Sequence, residues 1–361
     1  MKFDFDDILI VPSEITDINS RSEIKIHDEY GYLPIFTAPM DTVVNRQNAH
    51  HFTHNGIRVV LPREKMDDLS GGYYSTSDGC WYSYSLSDFK AVFLDSTCVE
   101  TKYMFALIDV ANGHMPAVRD TIHAAKIKYG ARLQIMVGNI ANPETFRILS
   151  DAGADYIRVG IGNGGGCLTT QQTGIGYPMA SLIRETYEVS CTLRNSAMIV
   201  ADGGFKKYSD IIKALALGAD YVMLGSIFNK ALESAGENMV KPGDHHPMTI
   251  STYKEACYAN MIPGDPNESL EDMMHYGKLY KRFRGMSTKE VQRSLGCDNL
   301  KTSEGIVKYQ QVEYSLSGWV ENFEHYLKSA MSYTNAHFLS EFIGEVKTIE
   351  VSQNSFNRYN K

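Results

Sequence analysis

Met198-Ile-Val-Ala-Asp202-Gly-Gly204 and, further along, Tyr221-Val-Met-Leu-Gly225-Ser226 are short apolar, β-rich runs that each end in a glycine turn. Runs of this kind, separated by helical stretches, are the pattern of a parallel sheet. Six more precede them: Pro34-Ile-Phe-Thr-Ala38, Ile57-Arg-Val-Val-Leu61, Trp81-Tyr-Ser-Tyr-Ser85, Met104-Phe-Ala-Leu-Ile-Asp109, Leu133-Gln-Ile-Met-Val-Gly138 and Tyr156-Ile-Arg-Val-Gly160. Eight is the number of a closed barrel. Helices fit between the runs: Ser87-Asp-Phe-Lys90 reads as a capped start, Met115 to Lys128 as a helix, and Pro143 to Ala152 as another with proline in its first turn. The fold class is therefore read as α/β, a (β/α)8 TIM barrel forming one domain over residues 1–361. A doubly wound sheet is the alternative, but no strand runs into a Gly-x-Gly-x-x-Gly turn that opens a helix with an acidic residue about 20 positions on.

With 361 residues, 43% hydrophobic and 22% charged, the chain has enough apolar content for a large core. No apolar run approaches the ~18 residues of a membrane span, and Met1-Lys-Phe-Asp-Phe-Asp-Asp7 lacks a basic-then-apolar signal, so no membrane partner and a cytoplasmic location are expected. Six cysteines without a CxxC pair point to reduced thiols rather than a disulfide frame or zinc site. A net charge of −8 argues against a nucleic-acid partner, which would call for a clustered basic face.

The sixth run leads into Gly160-Ile-Gly-Asn-Gly-Gly-Gly166-Cys167-Leu-Thr169, with five glycines among seven residues. Glycine has no side chain to pack and costs backbone entropy, so such a loop serves close approach of the backbone to a ligand. A thiol at its end can act as a covalent nucleophile once ionised. Most free cysteines are instead small buried hydrophobes, and Cys80, Cys98, Cys191, Cys257 and Cys297 take that reading. In a barrel the active site lies at the C-terminal strand ends, with a phosphate commonly bound by the loops after strands seven and eight. Here those loops are Asp202-Gly203-Gly204 and Gly225-Ser226, which offer backbone N–H groups to an anion, while Asp202 suits a ribose diol. One such turn alone is usually only a turn. Both at adjacent strand ends, beside the cysteine loop, point to a mononucleotide across the barrel mouth with its base near Cys167.

Phe5-Asp-Asp-Ile-Leu-Ile-Val-Pro12, Ala38-Pro-Met-Asp-Thr-Val43, Ile108-Asp-Val-Ala-Asn-Gly113, the cysteine loop with Thr173-Gly-Ile-Gly-Tyr-Pro178, Ala201 to Gly204, Gly218 to Ser226 and Arg284-Gly-Met-Ser287 stand in this order along the chain. Together they resemble the IMP dehydrogenase and GMP reductase family. Within it the chain looks like a GMP reductase. Too few residues separate Leu61 from Trp81 for the CBS-domain pair of the dehydrogenases. Asp109-Val-Ala-Asn-Gly113 looks like the reductase form of its loop, as do Ser332-Tyr-Thr-Asn-Ala336 and Asn354-Ser-Phe-Asn357. The segment from Met286 to Glu304 lacks the Arg-Tyr pair with which dehydrogenases activate water. Against this, Pro39 stands where reductases tend to have asparagine.

The resemblance implies NADPH-dependent reductive deamination of GMP to IMP through a cysteine thioimidate. Cys167 would be the nucleophile, with Thr169 and Glu304, the latter in Ser303-Glu-Gly305, as its catalytic partners; a general acid of this kind contributes ~10²–10⁴-fold. By composition alone Glu304 is an ordinary surface glutamate. The resemblance also places Met40, Asp202, Gly203, Gly204, Gly225, Ser226, Met286, Ser287 and Gly305 on the substrate, and Asp109, Asn112 and Asn139 on the cofactor. It implies a homotetramer, a mobile active-site loop over 284–305, and a monovalent cation (K+) held by carbonyls of Gly162, Gly164 and Cys167. Three departures stand out: Gly162-Asn-Gly-Gly165 replaces Gly-Pro-Gly-Ser, removing a phosphate-binding serine; Thr170-Gln171-Gln172 replaces cationic residues; and Lys301 stands where reductases tend to have arginine. Residues 240–278 form an insertion with turn-rich ends that covers or flanks the mouth, and His245 and His246 within it read as solvated. An IMP dehydrogenase without CBS domains and a catalytically weakened nucleotide-binding barrel are the alternatives.

Overall fold

The computed structural model describes residues 2–64, 79–95, 103–296, 302 and 304–359. Lys301, Cys98 and Cys297 lie outside the described residues.

All eight expected runs are strands of one parallel sheet: β1 (Ile35–Thr37), β2 (Val60–Leu61), β3 (Trp81–Tyr84), β4 (Met104–Asp109), β5 (Leu133–Ile140), β6 (Tyr156–Val159), β7 (Met198–Asp202) and β8 (Tyr221–Leu224). Each pairs with its neighbour in sequence, and β8 returns to β1 with Ile35 opposite Val222. The ring closes between β1 and β2, where Thr37 N–H donates to Arg58 O at 2.9 Å and Arg58 N–H to Ile35 O at 3.0 Å. This is the (β/α)8 barrel the runs predicted.

Side chains alternate along a strand, so every second residue faces the barrel axis. Phe36, Val60, Trp81, Leu107, Met136, Val200 and Met223 fill that interior as a packed core of their own. The opposite faces of the strands pack against the outer helices, including Pro116–Tyr129, Pro143–Asp151, Met179–Ser190, Tyr208–Ala216 and Leu316–Tyr333. Burial on both faces explains why the strands read as nearly continuous apolar runs. The helix expected from Pro143 starts there, and the one expected over Met115 to Lys128 runs Pro116–Tyr129, with Met115 as its extended N-cap. The expected cap at Ser87 is corrected to Ser85: Ser85 is extended and its hydroxyl accepts the Asp88 N–H at 3.1 Å, whereas Ser87 already lies inside the helix.

A second sheet sits on the chain that follows β8. It is antiparallel and runs β9 (Asn238–Val240), β10 (Met248–Thr249), β11 (Leu279–Arg284) and β12 (Val307–Gln311), in the order β10-β9-β11-β12. Residues 240–278 hold two helices, Ile250–Tyr258 and Leu270–His275, over a small core of Val240, Tyr253, Cys257, Met273, Leu279 and Val312. The buried Cys80 and Cys257 match their reading as small hydrophobes; Cys191 does not. It is exposed, because it caps the end of helix Met179–Ser190 where the chain turns out to solvent. No helix among the described residues is long and apolar enough to cross a membrane.

Candidate active site

The inner faces of the central strands change character as they rise. On β4 the sequence Phe105, Leu107, Asp109 passes from ring to aliphatic to carboxylate, and on β6 Tyr156 is followed by Arg158. Arg158 is 6% exposed and lies between two acids, donating to Asp109 Oδ1 at 2.7 Å and to Asp202 Oδ2 at 2.8 Å. Burial works against its charge, but Asp202 and Asp109 outweigh that and hold it as a cation. Strands β5 and β6 approach closely here because position 138 carries no side chain: a methyl group there would stand 2.5 Å from Arg158 Cβ and 2.7 Å from Arg158 O. Asp109 is also paired with Arg63 at 3.1 Å, and Asn139 donates to Asp202 Oδ2 at 2.7 Å and to Gly160 O at 2.9 Å. Of these groups the sequence reading named Asp109, Asn139 and Asp202. It missed Arg158, although a lone cation alternating with Tyr156 in a buried strand was the available signal.

Above this network lie the glycine loops. A methyl group on Gly203 would meet Gly164 N at 3.0 Å, so the turn after β7 and the cysteine loop are in contact. Asn163 ties the cysteine loop outward through Tyr177 O at 3.3 Å. The N–H groups of Gly165, Gly203, Gly204, Gly225 and Ser226 have no hydrogen-bond partner among the described residues. That leaves donors for an anion where the sequence expected one. Met40 borders the same space, its sulfur 3.0 Å from a methyl group built on Gly225. The Gly164 carbonyl accepts the Cys167 N–H at 2.9 Å, so one of the three carbonyls named for a cation is engaged in a turn of the loop itself.

The chain between β11 and β12 reaches the cysteine from the other side. Leu168 N–H donates to Glu304 O at 2.7 Å and Ile306 N–H to Gly166 O at 3.1 Å, pairing Cys167 with Gly305 as a short antiparallel bridge. Close fit holds the pairing: a methyl group on Gly285 would stand 2.6 Å from Gly166 O, and one on Gly166 would stand 2.8 Å from the Phe283 ring. The bridge brings three half-buried side chains into line. Cys167 Sγ donates to Thr169 Oγ1 at 3.2 Å, and Thr169 Oγ1 donates in turn to Glu304 Oε2. A thiol, a hydroxyl and a carboxylate so joined can pass the thiol proton to the acid.

Met286 and Ser287 stand on the same segment, with Ser287 Oγ 3.0 Å from a methyl group built on Gly305. Arg284 anchors the segment through Asp41 and Glu290, and Glu290 also takes Arg282 at 2.7 Å. Asn112 is not drawn into the charged network: it is exposed, and its side chain accepts the His114 N–H at 3.1 Å. His245 and His246 are exposed, and no group of three or more metal-binding His, Cys, Asp or Glu residues occurs among the described residues.

The chain is similar to known proteins over most of its length. A family profile described as "IMP dehydrogenase / GMP reductase domain" matches residues 96–250. The chain is 32% identical to a GMP reductase of Acidovorax sp. (strain JS42) over 339 residues, covering 90% of this chain and 99% of that one. It is 28% identical to a GMP reductase of Bacillus licheniformis over 368 residues, 98% of each chain. A GMP reductase of Caenorhabditis elegans is 26% identical over 375 residues, 99% of this chain and 94% of the other.

Proposed function

The chain belongs to the IMP dehydrogenase and GMP reductase family, and from that premise we propose that it is an NADPH-dependent reductase converting GMP to IMP and ammonia. Its class, oxidoreductase, follows from relatives named GMP reductase. The observation that carries the finer reading is the hydrogen-bonded line from Cys167 through Thr169 to Glu304.

In this reading the nucleotide phosphate is held by the free N–H groups of Gly203, Gly204, Gly225 and Ser226. Asp202 Oδ1, which has no partner among the described residues, accepts from the ribose. Met40, Met286, Ser287 and Gly305 border the purine. The thiol proton of Cys167 passes by way of Thr169 to Glu304, and the thiolate forms a bond to C2. The protonated Glu304 then returns its proton to the departing amino group, which leaves as ammonia. When bound, NADPH supplies a hydride for C2. As the C2–S bond breaks, its electron pair returns to sulfur and IMP is released. Covalent capture splits one difficult substitution into two easier ones.

Asp109, Asn112 and Asn139 would hold the cofactor. One carboxylate and two carboxamides at neighbouring strand ends suit the hydroxyls and amide of a ribosyl nicotinamide. No step depends on the cation expected at Gly162, Gly164 and Cys167, or on assembly into a tetramer.

Following the reduced-nicotinamide absorbance band tests the proposal. GMP with NADPH is expected to lose absorbance as ammonia is released. Gain of absorbance with IMP and NAD instead would make the protein a dehydrogenase, and no change in either mixture would overturn both readings.

A further inference from the structure

We propose that Lys308, on β12 of the antiparallel sheet, is a substrate-positioning residue whose ammonium grips the nucleotide's 5′-phosphate in place of the serine that the cysteine loop lacks. The proposal rests on the purine-nucleotide reading of the mouth and adds to it a residue that no motif marked.

Gly162-Asn-Gly-Gly165 presents no hydroxyl to a phosphate, and no cation follows Thr169 in the loop. The charge comes instead from another element. A methyl group built on Gly165 would stand 3.2 Å from Ser226 Oγ and 3.6 Å from Lys308 Nζ, so the loop backbone, the hydroxyl after β8 and this ammonium converge on one point. Across the sheet Lys308 pairs with Phe283, whose ring meets Gly166, and its Nζ lies 5.0 Å from that ring. Gln310, two residues on and so on the same face, points its Nε2 toward Ser226 O at 3.5 Å. This face of β12 therefore lies on the phosphate loops.

Lys308 is half-buried and its ammonium has no ion-pair or hydrogen-bond partner among the described residues. Its charged neighbour is Lys230, which is itself satisfied by Glu313 at 2.8 Å. Burial and then Lys230 both lower the Lys308 pKa, so its charge is held in an environment that disfavours it until an anion arrives. A structural lysine would be expected to have a carboxylate or carbonyl beside it. Lys281, on the inner face of β11, has one: its Nζ donates to Ser234 O at 2.7 Å.

Lys308 also stands four residues after Glu304 on the same segment. A phosphate that engages Lys308 thus fixes the stretch that presents Glu304 to Thr169. Binding energy from the unreactive end of the substrate is spent on orienting the acid, so loss of the phosphate should lower kcat as well as raise KM.

Lys308→Met and Lys308→Arg are compared with the parent protein on GMP and on guanosine, in turnover with NADPH and in direct binding by calorimetry. A lost charge-assisted contact predicts roughly tenfold to hundredfold weaker GMP binding in Lys308→Met, guanosine binding unchanged, and most of the GMP affinity kept in Lys308→Arg. Inorganic phosphate added to guanosine should raise turnover in the parent but not in Lys308→Met. Equal losses on GMP and guanosine, or no loss on GMP, would overturn the proposal. Binding is read without turnover, so a selective loss of GMP affinity in Lys308→Met, in a protein that does not reduce GMP, refutes the reductase reading and leaves the role of Lys308 supported.

Discussion

At the strand starts Trp81, Phe105, Tyr156 and Tyr221 close the floor of the barrel with rings, joined by Phe36; Trp81 meets Tyr156 edge-on at 5.0 Å and Phe36 at 5.9 Å. Higher up, Asp109 stands on the strand of Phe105, Arg158 on the strand of Tyr156 and Asp202 on β7 beside them, beneath glycine loops with unpaired N–H groups. The floor is made of groups that gain from leaving water, and the mouth of groups that do not. Even the charge at the floor is covered: Arg58 pairs with Asp28 and lies 4.6 Å from the Tyr32 ring. The mouth keeps donors without acceptors. The difference teaches that one barrel separates its work by height, with stability carried low and chemistry high.

That separation can be broken by substitutions at either end. The largest effect is expected from Cys167→Ala, which should abolish turnover while GMP binding by calorimetry and the melting temperature stay close to the parent's. Retained turnover would refute the covalent route, and a collapse in stability would refute the division. Next, Glu304→Gln should slow release of ammonia by ~10²–10⁴-fold and impair the hydride step less. Rapid-quench measurement of the two partial reactions checks this, and equal losses would count against a proton-transferring role.

At the floor the signs reverse. Trp81→Ala should cost about 3–5 kcal/mol of stability, since Trp81 is 1% exposed, yet leave kcat near normal at temperatures where the protein remains folded. The smallest effect sharpens the comparison through pH. Burial pushes the Asp220 carboxyl, just before β8, up to about 6, although its Oδ2 accepts the Ile199 N–H at 2.7 Å. An acid with a raised native pKa stabilises the fold most below its unfolded value near 4 and loses that contribution as pH rises through 6. Asp220→Asn keeps an acceptor for Ile199 and removes the titration. Its melting temperature relative to the parent's should therefore rise between pH 4 and pH 7, by the equivalent of about 2–3 kcal/mol at most. A constant difference across that range would show that Asp220 does not titrate there.

The barrel was legible because burial on both faces makes each parallel strand an uninterrupted apolar run, and glycine turns mark where each run ends. The antiparallel sheet was not legible. Its strand β12, Val-Lys-Tyr-Gln-Gln, alternates with the wrong sense, the apolar Val307 and Tyr309 being exposed while Lys308 and Gln310 are half-buried, so its pattern does not point to a buried face. The same holds for the site. Cys167, Thr169 and the glycine turns could be named from local spacing, because one short loop carries them. Glu304 was reached only by resemblance, and Lys308 and Arg158 were missed.

The sequence by itself determined the eight strands, the position of the thiol after the sixth and the glycine turns after the seventh and eighth, since each depends on residues adjacent in the chain. Tertiary structure alone decided that Thr169 and Glu304 share a hydrogen bond, that Arg158 joins Asp109 to Asp202, and that Lys308 lies over Gly165. Those contacts join segments far apart in sequence, and the strand pairing and backbone closure that bring them together leave no mark in local composition.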